Sequence, residues 1–230
     1  MNRNILKSAA LFFGVVFSAS AISATAGAED KPKRDPGQKL YMTKTCMACH
    51  GKDGRNAMLD YPNLAGQDEK YLVSQINDII NGKRLGSPDA TGNPRSQGMR
   101  GALIRAVDNK PTISPDEVKQ IAKWLSAQEP ADLQAPNPAL DPASVAAGEQ
   151  LYKAQCMSCH GPEGKKPQKG KPYVAGQKRN YILTQLQDIR SKDRKNSKTG
   201  PMFGIVKKMT DEEFANLADY LSQVDRKAGQ

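Results

Sequence analysis

The sequence CMACHGKDG at Cys46–Gly54 returns, with small changes, as CMSCHGPEG at Cys156–Gly164. The chain has 230 residues, four cysteines and two histidines, and these two motifs contain every cysteine and histidine. In each motif two residues separate the cysteines, and a histidine directly follows the second cysteine. A disulfide framework requires neither this spacing nor the histidine, so the pattern indicates a different chemistry.

The two motifs belong to two copies of one longer unit. GQKLY (37–41) precedes the first motif and GEQLY (148–152) precedes the second. After the cysteines the copies align at an offset of 110 residues, and their last segments, SPDEVKQIAKWLSAQ and TDEEFANLADYLSQ, align at an offset of 96. The pairs at the offset of 110 include Cys46/Cys156, His50/His160, Gly51/Gly161, Gly54/Gly164, Pro62/Pro172, Gln67/Gln177, Tyr71/Tyr181 and Arg84/Arg194. This repetition predicts a duplicated domain.

The first 28 residues have the layout of a secretory signal peptide. Arg3 and Lys7 precede an apolar run at 9–22, and small residues follow up to Ala28. The run is short for a membrane span, which needs about 20 residues. We therefore expect cleavage after Ala28, with Ala24 as the competing site, and an exported mature protein.

Between the copies lies QEPADLQAPNPALDPA, residues 128–143. Its proline content predicts a semi-rigid extended linker rather than a helix or a strand. The predicted organisation is a signal peptide at 1–28, a first domain at 29–127, the linker at 128–143 and a second domain at 144–230.

Apolar residues in both copies recur with helical spacing, and alternating strand patterns are nearly absent. In the middle of the copies they are Leu72, Val73, Ile76, Ile79 and Ile80, and Ile182, Leu183, Leu186 and Ile189. The last helix of each copy is predicted to start at a capping box, Ser114 with Glu117 and Thr210 with Glu213. We predict an all-α fold of two small domains with long loops. Their apolar content is low for a stable core, so a large apolar group should fill each one.

The C-x-x-C-H pattern is the attachment signature of c-type haem. Its two thiols become thioethers on the porphyrin, and the histidine is then held beneath the iron as the proximal ligand. The alternatives are zinc, which would require the two distant motifs to meet, and a thioredoxin-like redox site, which would require βαβ patterning. The predicted attachment residues are Cys46, Cys49, Cys156 and Cys159, and the predicted proximal ligands are His50 and His160.

A methionine is the expected sixth ligand because no histidine remains. The methionines outside the leader and away from the cysteines are Met58, Met99, Met202 and Met209. Met99 and Met202 lie at equivalent places, in the loop between the middle and last helices, and nearby glycines allow close approach to a flat ring. Met209 aligns with Ile113 at the position of a hydrophobic staple. We predict Met99 and Met202 as iron ligands, with core filling as the alternative, and Met209 as a core residue.

Other paired residues have predicted roles around the site. The carbonyls of Pro62 and Pro172 are candidates to accept a hydrogen bond from the second nitrogen of the proximal imidazole, with an ordinary loop proline as the alternative. Two pairs either reach the haem propionates or cover the surface: Tyr71/Tyr181 and Arg84/Arg194. Surface cover is favoured for the arginines.

Together these residues resemble the class I cytochromes c, and in particular the two-domain dihaem cytochrome c4 family. The resemblance covers nearly all of the chain after residue 28. It rests on C-x-x-C-H-G-x-x-G twice, on PNLAGQDEKYL (62–72) with PYVAGQKRNYI (172–182), and on a late methionine before a capped helix. One departure is the segment from Met99 to Ser114, 15 residues against 8 from Met202 to Thr210.

The resemblance implies two covalently bound haem c groups that face each other across a pseudo-twofold domain interface. It implies a periplasmic protein, membrane-associated in some members, that carries single electrons towards a terminal oxidase. The expected partners are redox proteins: a membrane quinol-oxidising complex, a terminal oxidase or other cytochromes. The alternative functions are a haem enzyme, or the cytochrome subunit of an oxidoreductase, with a displaceable methionine, and a gas or redox sensor.

The basic composition indicates a solvated face for docking. The formal net charge of +10 falls to +8 without the leader, which holds Arg3 and Lys7 and no acidic residue. Lysines and arginines cluster at 165–171 and 190–198, and no nucleic-acid-binding signature accompanies them. We therefore expect no nucleic-acid binding, and a surface suited to an acidic protein or an anionic membrane.

Overall fold

The computed structural model describes residues 34–136 and 138–228. The predicted signal peptide at 1–28 lies outside these residues. In the described ranges the chain forms α-helices, one short 3₁₀ helix and isolated bridges between single residues, and no strand. The all-α prediction is confirmed.

The first copy places two helices against its last helix. Its helices are α1 (Pro36–Thr43), α2 (Cys46–His50), α3 (Glu69–Ile80), α4 (Gln97–Leu103) and α5 (Pro115–Ser126). α1 and α3 both pack on α5. The buried apolar residues of these three helices include Leu72, Ile76, Ile79, Ile80, Val118, Ile121 and Leu125. The predicted inner face of α3 is therefore confirmed, with Val73 partly buried at its margin.

The second copy repeats this arrangement. Its helices are α6 (Pro142–Gln155), α7 (Met157–His160), α8 (Arg179–Ser191), α9 (Gly200–Val206) and α10 (Asp211–Gln223), with the 3₁₀ helix at Pro162–Gly164. α6 and α8 pack on α10. The buried apolar residues here include Ile182, Leu186, Ile189, Phe214, Leu217, Ala218 and Leu221.

Both predicted capping boxes are present. The Ser114 hydroxyl accepts from the Glu117 backbone N–H at 3.2 Å, and the Glu117 carboxylate accepts from the Ser114 N–H at 2.7 Å. Thr210 and Glu213 make the same pair of bonds at 3.1 and 2.7 Å. Each box satisfies two backbone donors that a helix start otherwise leaves unpaired, so the start of the last helix is specified locally.

The first and last helices of each copy cross closely at a repeated glycine. A Cβ atom on Gly37 would lie 2.6 Å from the Cβ of Trp124, and one on Gly148 would lie 2.9 Å from the Cβ of Tyr220. Any side chain at these positions would force the helices apart. The glycine that opens GQKLY and GEQLY is therefore a packing requirement.

The predicted linker at 128–143 carries no helix in its described residues before Asp141. Asp141 caps α6, since its carboxylate accepts from the Ala143 N–H at 2.9 Å, and Pro142 is the first helical residue. The last two linker residues thus belong to α6, because a capping aspartate followed by proline is a favourable helix start.

The segment before the last helix differs from the prediction at the two methionines, and its extra length in the first copy has a structural explanation. Met99 and Met202 lie in the short helices α4 and α9 rather than in loops. The additional residues of the first copy form a turn after α4, closed by bonds from the Arg105 N–H to the Lys110 carbonyl at 2.9 Å and from the Thr112 N–H to the Leu103 carbonyl at 2.8 Å. The extra length therefore leaves the positions of the two methionines equivalent.

The two copies exchange equivalent polar contacts across their interface. Arg84 donates to the Tyr181 hydroxyl at 2.8 Å, and Arg194 donates to the Tyr71 hydroxyl at 3.2 Å. Arg194 also donates to the Gln75 carboxamide oxygen at 2.9 Å. Such reciprocity is the pattern of an approximate twofold axis.

The surface role expected for the arginines is wrong. Arg194 is only 7% exposed, and Arg84 is half-buried. Burial of a guanidinium is costly unless its donors are paired. The hydroxyls and carboxamides of the other copy supply those partners here, which a single copy of the repeat cannot reveal.

Candidate functional site

The four cysteines stand on two short helical turns. Cys46 and Cys49 are on α2, and Cys156 and Cys159 lie at the start of α7 and within it. All four are free thiols, Cys49 exposed and the others half-buried. Cys46 and Cys156 each pack against the apolar core of their own copy. Each copy thus presents two thiols, one helical turn apart, beside an apolar surface.

Both histidines are buried and held in one orientation. His50 is 8% and His160 6% exposed. Nδ1 of His50 lies 3.0 Å from the Pro62 carbonyl oxygen, and Nδ1 of His160 lies 3.0 Å from that of Pro172. A carbonyl can only accept, so Nδ1 carries the hydrogen and the Nε2 lone pair remains available for a metal. The predicted role of the proline carbonyls as acceptors is confirmed.

The surroundings also favour the neutral imidazole. Burial lowers the pKa of His50, and it lowers the pKa of His160 in the same way. A metal binds the unprotonated nitrogen, so a lowered pKa keeps the ring ready as a ligand.

A buried tyrosine, for which no role was predicted, supports each histidine turn. The Tyr41 hydroxyl donates to the Gly51 carbonyl at 2.7 Å, and the Tyr152 hydroxyl donates to the Gly161 carbonyl at 2.6 Å. The glycine directly follows the histidine and has φ of 78° in the first copy, a conformation that other residues adopt with strain. The matching final tyrosine of GQKLY and GEQLY was the available signal.

The structure separates the methionines into different environments. Met99 and Met202 are half-buried and pack against the cores of their copies. Met209 is buried with the core, as is its counterpart Ile113, so the predicted core position is confirmed. Met58 is 51% exposed. Met99 and Met202 are thus the equivalent pair, each half-buried against the core of its own copy.

The residues present fit a covalently bound haem. Each copy offers two free thiols, an imidazole with a free Nε2 and a half-buried methionine, and the first cysteine and the methionine pack against the apolar core. Among the described residues, the buried Nε of Arg100, next to Met99, has no hydrogen-bond partner. A haem brings both the apolar surface and the carboxylates that such a set of residues lacks.

The alternative chemistries fit less well. In ranges 34–136 and 138–228 no three His, Cys, Asp or Glu side chains converge on a common point, whereas a structural zinc site takes four ligands. Burial raises the pKa of the Cys46 thiol, and likewise that of Cys156, to about 11. Redox-active C-x-x-C motifs have a lowered thiol pKa instead.

Comparisons with known proteins agree with this assignment. The family model described as Cytochrome c matches residues 35–129 and 145–225. The cytochrome c4 of Azotobacter vinelandii is 34% identical over 187 residues, which cover 76% of this chain and 82% of the relative. The thiosulfate dehydrogenase electron acceptor of Stutzerimonas stutzeri (strain A1501) is 30% identical over 205 residues, 83% of this chain and 87% of the relative. The crystal structure of reduced recombinant cytochrome c4 from Pseudomonas stutzeri superimposes with a TM-score of 0.65 at 30% identity, covering 82% of this chain and 97% of that one.

The helical fold and its two C-x-x-C-H turns define a c-type cytochrome with two domains. The chain belongs to the dihaem cytochrome c4 family. It therefore binds two haem c groups covalently, and it is an electron-transfer protein rather than an enzyme.

We predict that Tyr152→Phe lowers the free energy of unfolding by about 1–2 kcal/mol, because the Gly161 carbonyl loses its donor inside the protein. Chemical denaturation followed by circular dichroism measures this change. Tyr220→Phe is the matched control, since the Tyr220 ring packs 5.7 Å from that of Tyr152 and its substitution keeps the Tyr152 hydroxyl. Equal effects of the two substitutions would contradict the role given to the Tyr152 hydrogen bond.

Proposed function

We propose that each copy holds one haem through its own residues. In the first copy Cys46 and Cys49 would carry the thioethers, and His50 and Met99 would ligate the iron. In the second copy Cys156, Cys159, His160 and Met202 take the same roles. The observation that carries this proposal is the orientation of both histidines, with Nδ1 bonded to a proline carbonyl and Nε2 free.

The histidine and the methionine of each copy would fill the coordination sphere of the haem iron and limit its rearrangement. When bound, the haem iron supplies a one-electron ferrous–ferric couple. The histidine and the methionine of each copy would together hold the iron and would leave no position open for a substrate. Methionine ligation also raises the reduction potential relative to bis-histidine ligation. This arrangement suits a carrier that exchanges single electrons.

We expect Cys156→Ala combined with Cys159→Ala to reduce covalent haem from two groups per chain to one. The thioethers can form only at these thiols in the second copy, whereas the first copy is unaffected. A haem-stained denaturing gel and the pyridine haemochrome assay measure the ratio. The matched variant Cys46→Ala with Cys49→Ala should give the same ratio through loss of the other haem. Retention of two haems in either variant would refute the attachment sites.

Met202→Ala should open one iron, so that the reduced variant binds about one carbon monoxide per chain while the wild type binds almost none. Optical titration with carbon monoxide measures this binding, and Met99→Ala should behave in the same way. Met209→Ala is the control, because Met209 is in the core: it should lower stability without opening an iron. Stoichiometric binding by the wild type would favour a displaceable methionine and thus the enzyme alternative.

We further propose that the protein works in the periplasm, with the leader at 1–28 removed and the domains at 29–127 and 144–230. The leader pattern and the family relationship support this location. Among the described residues no helix is long and apolar enough to cross a membrane. The basic mature chain suits peripheral association with an anionic membrane surface.

The electron partners are proposed from the surface next to the attachment turn of the second copy. In the second copy the Gln168 N–H donates to the Cys159 carbonyl at 3.0 Å, which brings the exposed Lys166 and Lys169 to the edge of the motif. We propose that an acidic redox protein docks here. A terminal oxidase is the proposed acceptor, and a quinol-oxidising complex or another cytochrome is the proposed donor.

A thiosulfate dehydrogenase is a second candidate donor. The observation that favours it is the 30% identity with a thiosulfate dehydrogenase electron acceptor over 83% of this chain. In that role the protein remains a carrier, and the sulfur chemistry takes place on its partner.

We expect electron transfer from the reduced protein to oxidase-containing membranes to slow as ionic strength rises, because salt screens the attraction between charged surfaces. Lys166→Glu with Lys169→Glu should slow the reaction about tenfold at low salt. Lys39→Glu, on the exposed side of α1, is the control. Absence of salt dependence would contradict the basic docking site.

The thiosulfate alternative predicts that thiosulfate and a thiosulfate dehydrogenase together reduce the oxidised protein.

A further inference from the structure

Gln67 and Gln177 cross the boundary between the two copies. The Gln177 carboxamide oxygen accepts from the Asn63 N–H at 3.0 Å, and its nitrogen donates to the Asn63 carbonyl at 2.9 Å. Gln67 makes the same two bonds to Tyr173, at 2.7 and 2.9 Å. Asn63 and Tyr173 occupy equivalent positions in the repeat, so the contacts are reciprocal.

The peptide groups that these glutamines hold are the ones that bind the histidines. The Asn63 N–H and the Pro62 carbonyl belong to one peptide unit, and that carbonyl accepts from Nδ1 of His50 at 3.0 Å. The peptide unit between Pro172 and Tyr173 joins Gln67 to His160 in the same way. Each histidine is thus connected, through a single peptide group, to a glutamine of the other copy.

Both glutamine side chains are fixed in position. Gln67 is only 6% exposed, and its carboxamide oxygen also accepts from the Asp68 N–H at 3.0 Å. The Gln177 oxygen accepts from the Lys178 N–H, likewise at 3.0 Å. Because each oxygen has a local donor besides the distant peptide, its orientation does not depend on the histidine contact alone.

Hydrogen bonds in such a chain strengthen one another. When the N–H of a peptide donates, its carbonyl oxygen becomes more negative and is a better acceptor. A stronger bond from Nδ1–H raises the basicity of the imidazole as a metal ligand. A more basic ligand favours the ferric over the ferrous state and lowers the reduction potential.

We propose that Gln67 and Gln177 are positioning residues that tune the iron of the opposite domain. Gln177 in the second domain determines how strongly the Pro62 carbonyl accepts from His50. Gln67 in the first domain does the same for the Pro172 carbonyl and His160. This inference rests on the proposed function, in which these histidines hold the haem irons. It makes the domain interface part of each redox centre.

The test measures the two potentials separately in Gln177→Leu, which removes both bonds to Asn63 at similar side-chain size. Spectroelectrochemistry gives the potentials, and proton NMR of haem methyl signals assigned to each domain identifies which haem has changed. We expect the first-domain haem to become easier to reduce by about threefold in its equilibrium constant, about 30 mV for one electron, with the second-domain haem unchanged. Gln67→Leu should produce the mirror result.

Two further variants separate tuning from loosening of the interface. Gln75→Leu removes interface bonds to Arg194 and Asn196 without touching either histidine-binding peptide, and should leave both potentials unchanged. Gln177→Glu keeps an acceptor at the Asn63 N–H with more negative charge, so the first-domain potential should fall. A loosened interface would instead shift the Leu and Glu variants in the same direction.

The proposal is overturned if Gln177→Leu shifts the second-domain haem, shifts both haems equally, or shifts neither. Should Gln177→Leu fail to yield folded protein, Gln67→Leu and Gln177→Glu decide the same question. Failure of the proposed function itself would be recognised differently, as a wild type without two haems or with an iron already open to carbon monoxide.

Discussion

Each copy of this chain is organised around a hydrogen bond from Nδ1 of a buried histidine to a proline carbonyl twelve residues later. The cysteines before the histidine form a short helical turn, and the loop that ends at the proline returns to cover it. This contact selects the tautomer that leaves Nε2 free, since the carbonyl cannot donate. The closely crossing first and last helices and the tyrosine bonded behind the turn keep this loop in place.

The interface adds a second constraint, because it is polar and its groups must be satisfied. Arg194 donates to partners of its own copy and of the other copy, and Asn196 donates to the buried carboxylate of Asp78 at 2.8 Å. Buried polar groups that lose a partner are costly. The network therefore favours one relative placement of the domains, in which Gln67 and Gln177 reach the peptides that bind the histidines.

Much of the fold was predictable because it depends on local pattern. The capping boxes, the apolar face of α3 and the buried Met209 follow from residues close together in the chain. The acceptor role of the proline carbonyls was predictable from the repeat. The short helices around Met99 and Met202 were not, since their glycines favour a loop by propensity and packing against the core overrides it.

Features that depend on residues close together in the chain could be predicted from the sequence, and contacts between distant residues could not. Spacing within a few residues is sufficient to indicate the helix starts, the attachment turns and the choice of haem chemistry. The partners that Arg84, Arg194 and the two glutamines reach in the other copy are about 100 or more residues away in the chain. The sequence pattern does not indicate such a pairing, because the pairing arises only when two folded copies meet and their buried donors and acceptors must be matched.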